Sequence, residues 1–494
     1  MTVKRYRKYS DIPSDLLLSL AERVKESPYR QKFHIEPNMG SLADPNGASY
    51  FGGKYHLFYQ WSPLSASKGV WFHGWYHLTS KDLVTWEQEG PGLIADTEFE
   101  THGAYSGSGL GQGDKAILFY TGNTRLPKTN ERVPYQIIAS IDQTGSVTKK
   151  LPPVIKGFPE GYTDHFRDPK IWQQGSDFYA VIGAQRKNLT GAVLLLYMNE
   201  GDDWSIVGEV LTSYSNFGYM WECPNYLVFG EEAVLIFCPQ GLEEKGNSYR
   251  NIHQCGYIVG DRLSKDNLNF NNQTTFTELD RGFDFYAAQV SQDNNRTILY
   301  AWMGLPDTHY PTEDNAYSGC LTFPRELTFQ SGKLYQNPVV ELQNYQREMP
   351  VPKWNKEVEY QIDSGFAARL NLHLINHSMA GKLVIDLVAN EQRTAYSRLT
   401  IDYDNKTIIL DRKRSGRSVS INYGFERQIY DDLSSEVFLD ILIDRSSLEI
   451  FVNSGETAAA SRIFPEDNQT KLFIDTIACP QMDDIKVTCY ELDL

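Results

Sequence analysis

The sequence lacks the features that would connect it with a membrane or a nucleic acid. No run of about 18 apolar residues suggests a membrane helix. The basic start of the chain is followed by an apolar run that is too short and too interrupted for a signal peptide. A formal net charge of −16 disfavours polyanionic partners, although a local basic pocket could still bind a small anion. We therefore expect a cytoplasmic protein that acts on a small molecule.

Cysteine pairs and cofactor motifs are missing as well. The six cysteines, at positions 223, 238, 255, 320, 479 and 489, show no CxxC spacing and no clustering, which predicts buried free thiols. There is no GxxxxGK[ST] and no HExxH, and "GLGQG" at 109–113 stands between predicted strands without a following helix. We therefore predict no cofactor and no metal.

Aromatic residues, in contrast, are abundant. The 494 residues include 30 Tyr and 24 Phe, a composition that favours β structure. Helical spacing is confined to residues 11–27, which predicts a short N-terminal helical extension over 1–29. The remainder is short apolar or alternating runs divided by Gly, Asn, Asp and Pro, which predicts an all-β fold.

Five segments share a pattern of a polar start, an apolar strand, a tight turn and a second strand. They begin at Asp44, Ser106, Asp168, Glu222 and Asp284, at steps of 62, 62, 54 and 62 residues. A period of roughly 60 residues in an all-β chain predicts propeller blades, and five starts predict a five-bladed β-propeller over 30–347. If equivalent blade positions face the mouth of the central channel, the four acidic residues converge there.

The repeats fade after residue 345. A Pro- and Lys-marked stretch predicts a linker at 348–355. Alternating runs such as "KLVIDLVA" and "KLFIDTIA" then predict a β-sandwich over 356–494, with a hairpin at "DRSSLEIFVN". This second domain would support the propeller and could mediate a homo-oligomer.

The acidic residues at the blade starts could have either a structural role in turns or a chemical role. "DPNG" at 44–47 is typical of a type I turn, but the other starts lack the closing Gly. Convergent carboxylates suit a hard-metal site, an aspartic-protease dyad or a glycoside hydrolase. Nearby aromatic residues favour a sugar, although we expect more than half of them to be core residues. They are Tyr59, Trp61, Trp71, Trp75, Tyr105, Trp221, Tyr286 and Trp302.

Eight motifs in order make the chain resemble glycoside hydrolase family 32, the invertases and fructan hydrolases, and within it the bacterial enzymes that act on sucrose 6-phosphate. They are "DPNG", "FYQWSP", "TSKDLVTW", "YSGS", "FYTGN", "HFRDP", "ECPN" and "FDFYAAQ". The resemblance implies a retaining mechanism with Asp44 as nucleophile, Glu222 as general acid/base and Asp168 as stabiliser of the transition state. It further implies fructose contacts from Gln60, Trp75, Tyr105, Ser106, Arg167 and Trp302.

These roles make demands on protonation. The nucleophile must be ionised, and the acid must be protonated near neutral pH, so we expect Asp44 and Asp168 to raise the pKa of Glu222. We expect Arg167 to keep Asp168 ionised. One departure is Ala43, where the family usually has an Asn that helps to bind the sugar. The alternatives to sucrose 6-phosphate are unphosphorylated sucrose or short fructo-oligosaccharides, and a carbohydrate-binding propeller without activity.

Overall fold

The computed structural model describes residues 8–64, 73–199, 203–293, 295–355, 360–419 and 423–494. Helix α1, Ser14–Lys25, precedes the sheets, as the sequence predicts. Short 3-10 helices occupy Tyr9–Asp11, Pro311–Asn315 and Val340–Tyr345. Within the described residues, no helix is long and apolar enough to cross a membrane.

Strands β1 to β21 form five small sheets, of which one contains five strands and four contain four. The chain first builds β1 Gly40–Phe51, β2 Lys54–Ser62, β3 Gly74–Ser80 and β4 Glu87–Leu93, then β5 Ala104–Gln112, β6 Lys115–Arg125, β7 Arg132–Asp142 and β8 Val147–Lys156. The third and fourth sheets contain β9 Tyr162–Gln174, β10 Asp177–Arg186, β11 Gly191–Met198, β12 Trp204–Glu209, β13 Met220–Phe229, β14 Glu232–Gln240, β15 Gly256–Asp261 and β16 Thr277–Glu278. The fifth contains β17 Tyr286–Asp293, β18 Arg296–Trp302, β20 Arg325–Gln330 and β21 Lys333–Pro338, whereas β19 Tyr317–Ser318 pairs in parallel with β1.

The first strands of these sheets form a closed ring. Strands β1, β5, β9 and β13 each contact the next first strand in chain order, and β17 contacts β1 again. Gly52 and Gly53, with φ of 57° and 78°, make the tight turn between β1 and β2 that two-residue hairpins require. The arrangement agrees with the predicted propeller domain.

Every one of the five first strands has a β-bulge at the same place, among the residues that the structure describes. The shifts in register fall between Leu42 and Pro45, Ala104 and Gly107, Arg167 and Lys170, Glu222 and Asn225, and Tyr286 and Gln289. In each case three steps on the first strand face two steps on its partner. A bulge inserts one residue and turns the adjacent side chains, so it sets what each strand presents at its start.

Polar side chains after the bulges join neighbouring first strands. The Gly107 N–H donates to Asn46 Oδ1 at 2.9 Å, and the Val290 N–H donates to Asn225 Oδ1 at 3.0 Å. These buried hydrogen bonds satisfy backbone donors that the bulges leave without a strand partner, and so fix the ring.

The C-terminal domain is a β-sandwich, as predicted, of two six-stranded sheets around one large apolar core. One sheet contains β22 Gln346–Met349, β24 Ala368–Ile375, β29 Glu436–Asp444, β30 Ser447–Val452, β31 Thr457–Arg462 and β33 Asp484–Leu492. The other contains β23 Tyr360–Asp363, β25 Lys382–Ala389, β26 Tyr396–Asp402, β27 Thr407–Arg414, β28 Glu426–Tyr430 and β32 Lys471–Asp475. Strands β29 and β30 form the hairpin predicted at "DRSSLEIFVN". Strand β22 pairs with β33, so the sandwich sheet begins inside the stretch predicted as the end of the propeller and the linker.

A buried polar network joins the two domains. The His34 ring contacts Asp444 Oδ2 through Nδ1 and Glu449 Oε1 through Nε2, both at 2.8 Å. Arg325 donates to Glu449 Oε2 at 2.6 Å and to Asp280 Oδ2 at 3.0 Å. All five side chains are fully buried or nearly so, and each charge has an opposite partner, which such burial requires.

Candidate active site

Three of the predicted acidic residues converge at the bulges of three different sheets. The Cys223 Sγ lies 3.9 Å from Asp44 Oδ2 and 3.8 Å from Asp168 Oδ2, and Cys223 directly follows Glu222. The Cys223 N–H also donates to Asp168 Oδ2 at 3.1 Å. The residues 44–47 lie within strand β1, so the expected type I turn is wrong, and a bulge orients Asp44 instead.

Asp44 is held by the neighbouring blade. The Ser106 hydroxyl donates to Asp44 Oδ2 at 2.5 Å. Burial and the charge of Glu222 raise the pKa of Asp44 to about 6, while the Ser106 hydrogen bond opposes that rise. Asp44 is therefore ionised at neutral pH, as a nucleophile must be. Ser106, which the resemblance assigned to fructose, uses its hydroxyl on this carboxylate.

Glu222 is surrounded by donors. Arg167 donates to Glu222 Oε1 from Nε at 3.1 Å and from Nη2 at 2.5 Å. The Tyr286 hydroxyl and the Gln240 amide each donate to Oε2 at 2.6 Å. Burial raises the pKa of Glu222, but Arg167 and the Tyr286 hydrogen bond outweigh it and lower the pKa below the ordinary value. The expected raised pKa is therefore wrong for the unliganded site, since Arg167 neutralises Glu222.

Asp168 differs from Glu222 in two respects: Arg167 lies farther from it, and its pKa is raised. The Arg167 Nε is 3.9 Å from Asp168 Oδ2, farther than from Glu222. Burial, with the charges of Glu222 and Asp44, raises the pKa of Asp168 to about 7 against the lowering effect of Arg167. The expectation that Arg167 keeps Asp168 fully ionised is thus wrong. The reason is that its guanidinium is engaged by Glu222.

Three of the residues predicted to contact fructose, Gln60, Tyr105 and Trp302, lie near the three carboxylates. Gln60 donates its amide to the carbonyls of Gly74 at 3.2 Å and Ala104 at 2.9 Å, and so joins the first two sheets. Tyr105 lies in the bulge next to Ser106 and is half-buried. Trp302 is half-buried, pairs across the sheet with Tyr286, and has a buried Nε1 without a hydrogen-bond partner in the described part of the chain.

Trp75 differs from its expected role. Its ring is fully buried between the first two sheets, and its Nε1 donates to the Tyr105 carbonyl at 3.2 Å. The expected direct contact with fructose is wrong, because the ring has no accessible surface, and Trp75 positions Tyr105 instead. Trp71 lies outside the described residues. The other aromatic residues named near the motifs are buried, namely Tyr59, Trp61, Trp221 and Tyr286.

Asp284 does not join the other acids. Its Oδ2 accepts from Arg412 Nη1 at 2.5 Å and from the Arg462 N–H at 2.8 Å, and its Oδ1 accepts from the Tyr310 hydroxyl at 2.7 Å. The predicted convergence of a fourth acid at the mouth is therefore wrong. Asp284 precedes strand β17 and is buried against the sandwich, which supplies both arginines.

Tyr286 and Gln240 are site residues that the sequence analysis missed as partners of Glu222. Tyr286 directly precedes its bulge, in the position that Glu222 occupies in β13 and Arg167 in β9. Alignment of the repeats on that position could have identified it. Gln240 faces Met220 across the sheet, a relation that only the register shows. Within the described residues, no group of His, Cys, Asp and Glu side chains is arranged to hold a metal ion.

Comparison with known proteins places this geometry in context. The model of the glycosyl hydrolases family 32 N-terminal domain matches residues 34–338, and that of the family 32 C-terminal region matches 332–487. A sucrose-6-phosphate hydrolase of Staphylococcus xylosus is 39% identical over 96% of this chain and 95% of that protein. The structure of sucrose-6-phosphate hydrolase from Lactobacillus gasseri superposes with a TM-score of 0.90 at 34% identity, covering 99% of this chain and 98% of the other. A Bombyx mori beta-fructofuranosidase mutant in complex with sucrose gives 0.81 at 28% identity, covering 98% and 99%.

Proposed function

Because the chain belongs to family 32 of the glycosyl hydrolases, we propose that it hydrolyses the fructosyl bond of sucrose 6-phosphate with retention of configuration. The observation that carries the proposal is the convergence of Asp44 and Asp168 on Cys223, beside Glu222. The full-length similarity to sucrose-6-phosphate hydrolases supports the choice of substrate. A phosphorylated disaccharide is met after phosphorylating uptake, so we assign the enzyme to the cytoplasm.

In the first step, Asp44 attacks C2 of the fructosyl unit, and the bond from C2 to the bridging oxygen breaks. Glu222 gives its proton to that oxygen, so glucose 6-phosphate leaves. In the second step, Glu222 takes a proton from water, and the water oxygen displaces the Asp44 carboxylate from C2. Asp168 accepts hydrogen bonds from fructose hydroxyls and stabilises the positive charge that develops on the ring.

The protonation states of the unliganded site require that Glu222 gain a proton before the first step. Glu222 must gain a proton that Arg167 disfavours, so its clamp must loosen when the substrate binds. Asp168, with a pKa of about 7, keeps its proton to a higher pH than Asp44 or Glu222 does. The three carboxylates therefore form one coupled titrating unit.

The test compares kcat/KM on sucrose 6-phosphate, sucrose and the trisaccharide kestose. We expect a clear preference for sucrose 6-phosphate. Glu222→Gln should lower kcat by about 10²- to 10⁴-fold, the range for loss of a general acid, and Asp44→Asn should abolish turnover. A preference for sucrose or kestose would contradict the proposed substrate. Full activity of Glu222→Gln would contradict the assigned acid, and no fructose release from any substrate would indicate a binding protein.

A further inference from the structure

Two arginines and a histidine in contact with one another extend from Glu222 toward the blade of strands β5 to β8. Arg167, which contacts Glu222, also places Nη1 2.8 Å from His165 Nδ1. Arg132 Nη1 lies 3.4 Å from the same ring nitrogen. Arg132 begins strand β7 and His165 lies near the start of β9, so all three residues are at the end of the propeller where the bulges lie.

Among the residues that the structure describes, Arg132 has no carboxylate partner, whereas Arg186 and Arg250 at this end of the propeller each have one. Arg186 is paired with Glu209 at 2.8 Å, and Arg250 with Glu244 at 3.2 Å. In the described part of the chain, Arg132 forms no ion pair, and its buried Nε has no hydrogen-bond partner. A guanidinium in this state has free donors for an incoming anion, and its planar fork matches a phosphate.

The histidine between the two arginines has a defined tautomer. Both guanidinium groups donate to His165 Nδ1, so that nitrogen carries a lone pair and the proton resides on Nε2. Burial and the charges of Arg167 and Arg132 lower the pKa of His165 to about 4. His165 is thus a neutral ring that offers one N–H donor beside the unpaired guanidinium.

The position of Arg132 and His165 on the Glu222 side of the site indicates which anion they bind. Glu222 protonates the oxygen of the leaving group, so the leaving sugar must lie on the Glu222 side of the scissile bond. We propose that Arg132 and His165 bind the phosphate of that leaving glucose 6-phosphate and so determine the preference for the phosphorylated substrate. The inference rests on the proposed function. It explains how a chain of net charge −16 holds a substrate with nearly two negative charges.

The test uses Arg132→Met, with Arg250→Met as the matched control at the same end of the propeller. A charge-assisted hydrogen bond contributes about 1.5–3 kcal/mol, so kcat/KM for sucrose 6-phosphate should fall about 10- to 100-fold in Arg132→Met. Its kcat/KM for sucrose should stay within about twofold of the wild type, on the same estimate that only the phosphate contact is lost. Arg250→Met should leave both values unchanged.

A binding measurement separates this inference from the proposed function. By calorimetry, glucose 6-phosphate should bind the wild type more tightly than glucose, and Arg132→Met should lose that difference. Two outcomes would overturn the inference: an unchanged ratio between kcat/KM for the two substrates in Arg132→Met, or loss of the preference in Arg250→Met. If the wild type turns over sucrose best yet still prefers glucose 6-phosphate in binding, the proposed substrate fails and the phosphate site stands. If the wild type binds the two sugars equally, the site itself is refuted.

Discussion

Removal of one hydroxyl group from the clamp around Glu222 should change the pH dependence of the enzyme on one side only. In Tyr286→Phe, Glu222 loses a hydrogen bond of 2.6 Å that stabilises its ionised form. Such a charge-assisted bond contributes about 1.5–3 kcal/mol, and one pKa unit corresponds to about 1.4 kcal/mol. The pKa of Glu222 should therefore rise by about one to two units on these magnitudes. Because Glu222 must be protonated, kcat/KM at alkaline pH should rise about tenfold or more.

The assay is a profile of kcat/KM against pH on sucrose 6-phosphate, with Ser106→Ala as the matched variant. Ser106 donates to Asp44, so its removal raises the pKa of the nucleophile and should lower kcat/KM on the acid side. Tyr286→Phe should leave the acid side in place, and Ser106→Ala the alkaline side. A value of kcat/KM at alkaline pH that does not rise in Tyr286→Phe, or that falls, would refute the assignment of Glu222 as the general acid.

Three further predictions concern the domain interface and the sugar site. Burial opposes charge on His34, but hydrogen bonds to Asp444 and Glu449 raise its pKa to about 9. This stabilisation is complete below pH 6.5 and is lost as pH rises through 9, so the wild type should lose up to about 3 kcal/mol of unfolding free energy that His34→Gln does not lose. Asp284→Asn should lower the melting temperature without changing kcat/KM of the folded enzyme; a large fall in kcat would contradict its structural role. Ala43→Asn should raise kcat/KM on sucrose about fivefold by adding one hydrogen bond of about 1 kcal/mol, and no gain would contradict that contact.

The fold class and the three central carboxylates were predictable from the sequence because both depend on local patterns. Runs of aromatic and β-branched residues between Gly, Asn, Asp and Pro predict strands at any position in the chain. The spacing of the repeats brings Asp44, Asp168 and Glu222 to the starts of their strands, and the structure places them together there, although at different positions relative to the bulge. Since the strands of each propeller sheet are close together in the chain, apart from β19, the contribution of each sheet can be inferred without knowledge of distant contacts.

Contacts between distant segments were not predictable in this way. Asp284 begins its repeat like the other acids, but Arg412 of the sandwich, 128 residues later, binds it. Arg167 precedes Asp168 in sequence, yet its guanidinium contacts Glu222, 55 residues later. The sequence shows that Arg167 and Asp168 are neighbours, but not that the guanidinium lies closer to Glu222 than to Asp168.

The first strands fall into two classes according to where the site residue lies relative to the bulge. In strands β9, β13 and β17, the residue directly before the bulge contributes to the site, namely Arg167, Glu222 and Tyr286, and both flanking residues contact Glu222. In β1 and β5 the residue two positions later contributes, namely Asp44 and Ser106, which contact each other. The proposed acid and the proposed nucleophile thus accept hydrogen bonds from different side chains. In the unliganded site the donors around Glu222 hold its pKa below that of Asp44, the reverse of the order that a double displacement requires, so substrate binding must reverse it.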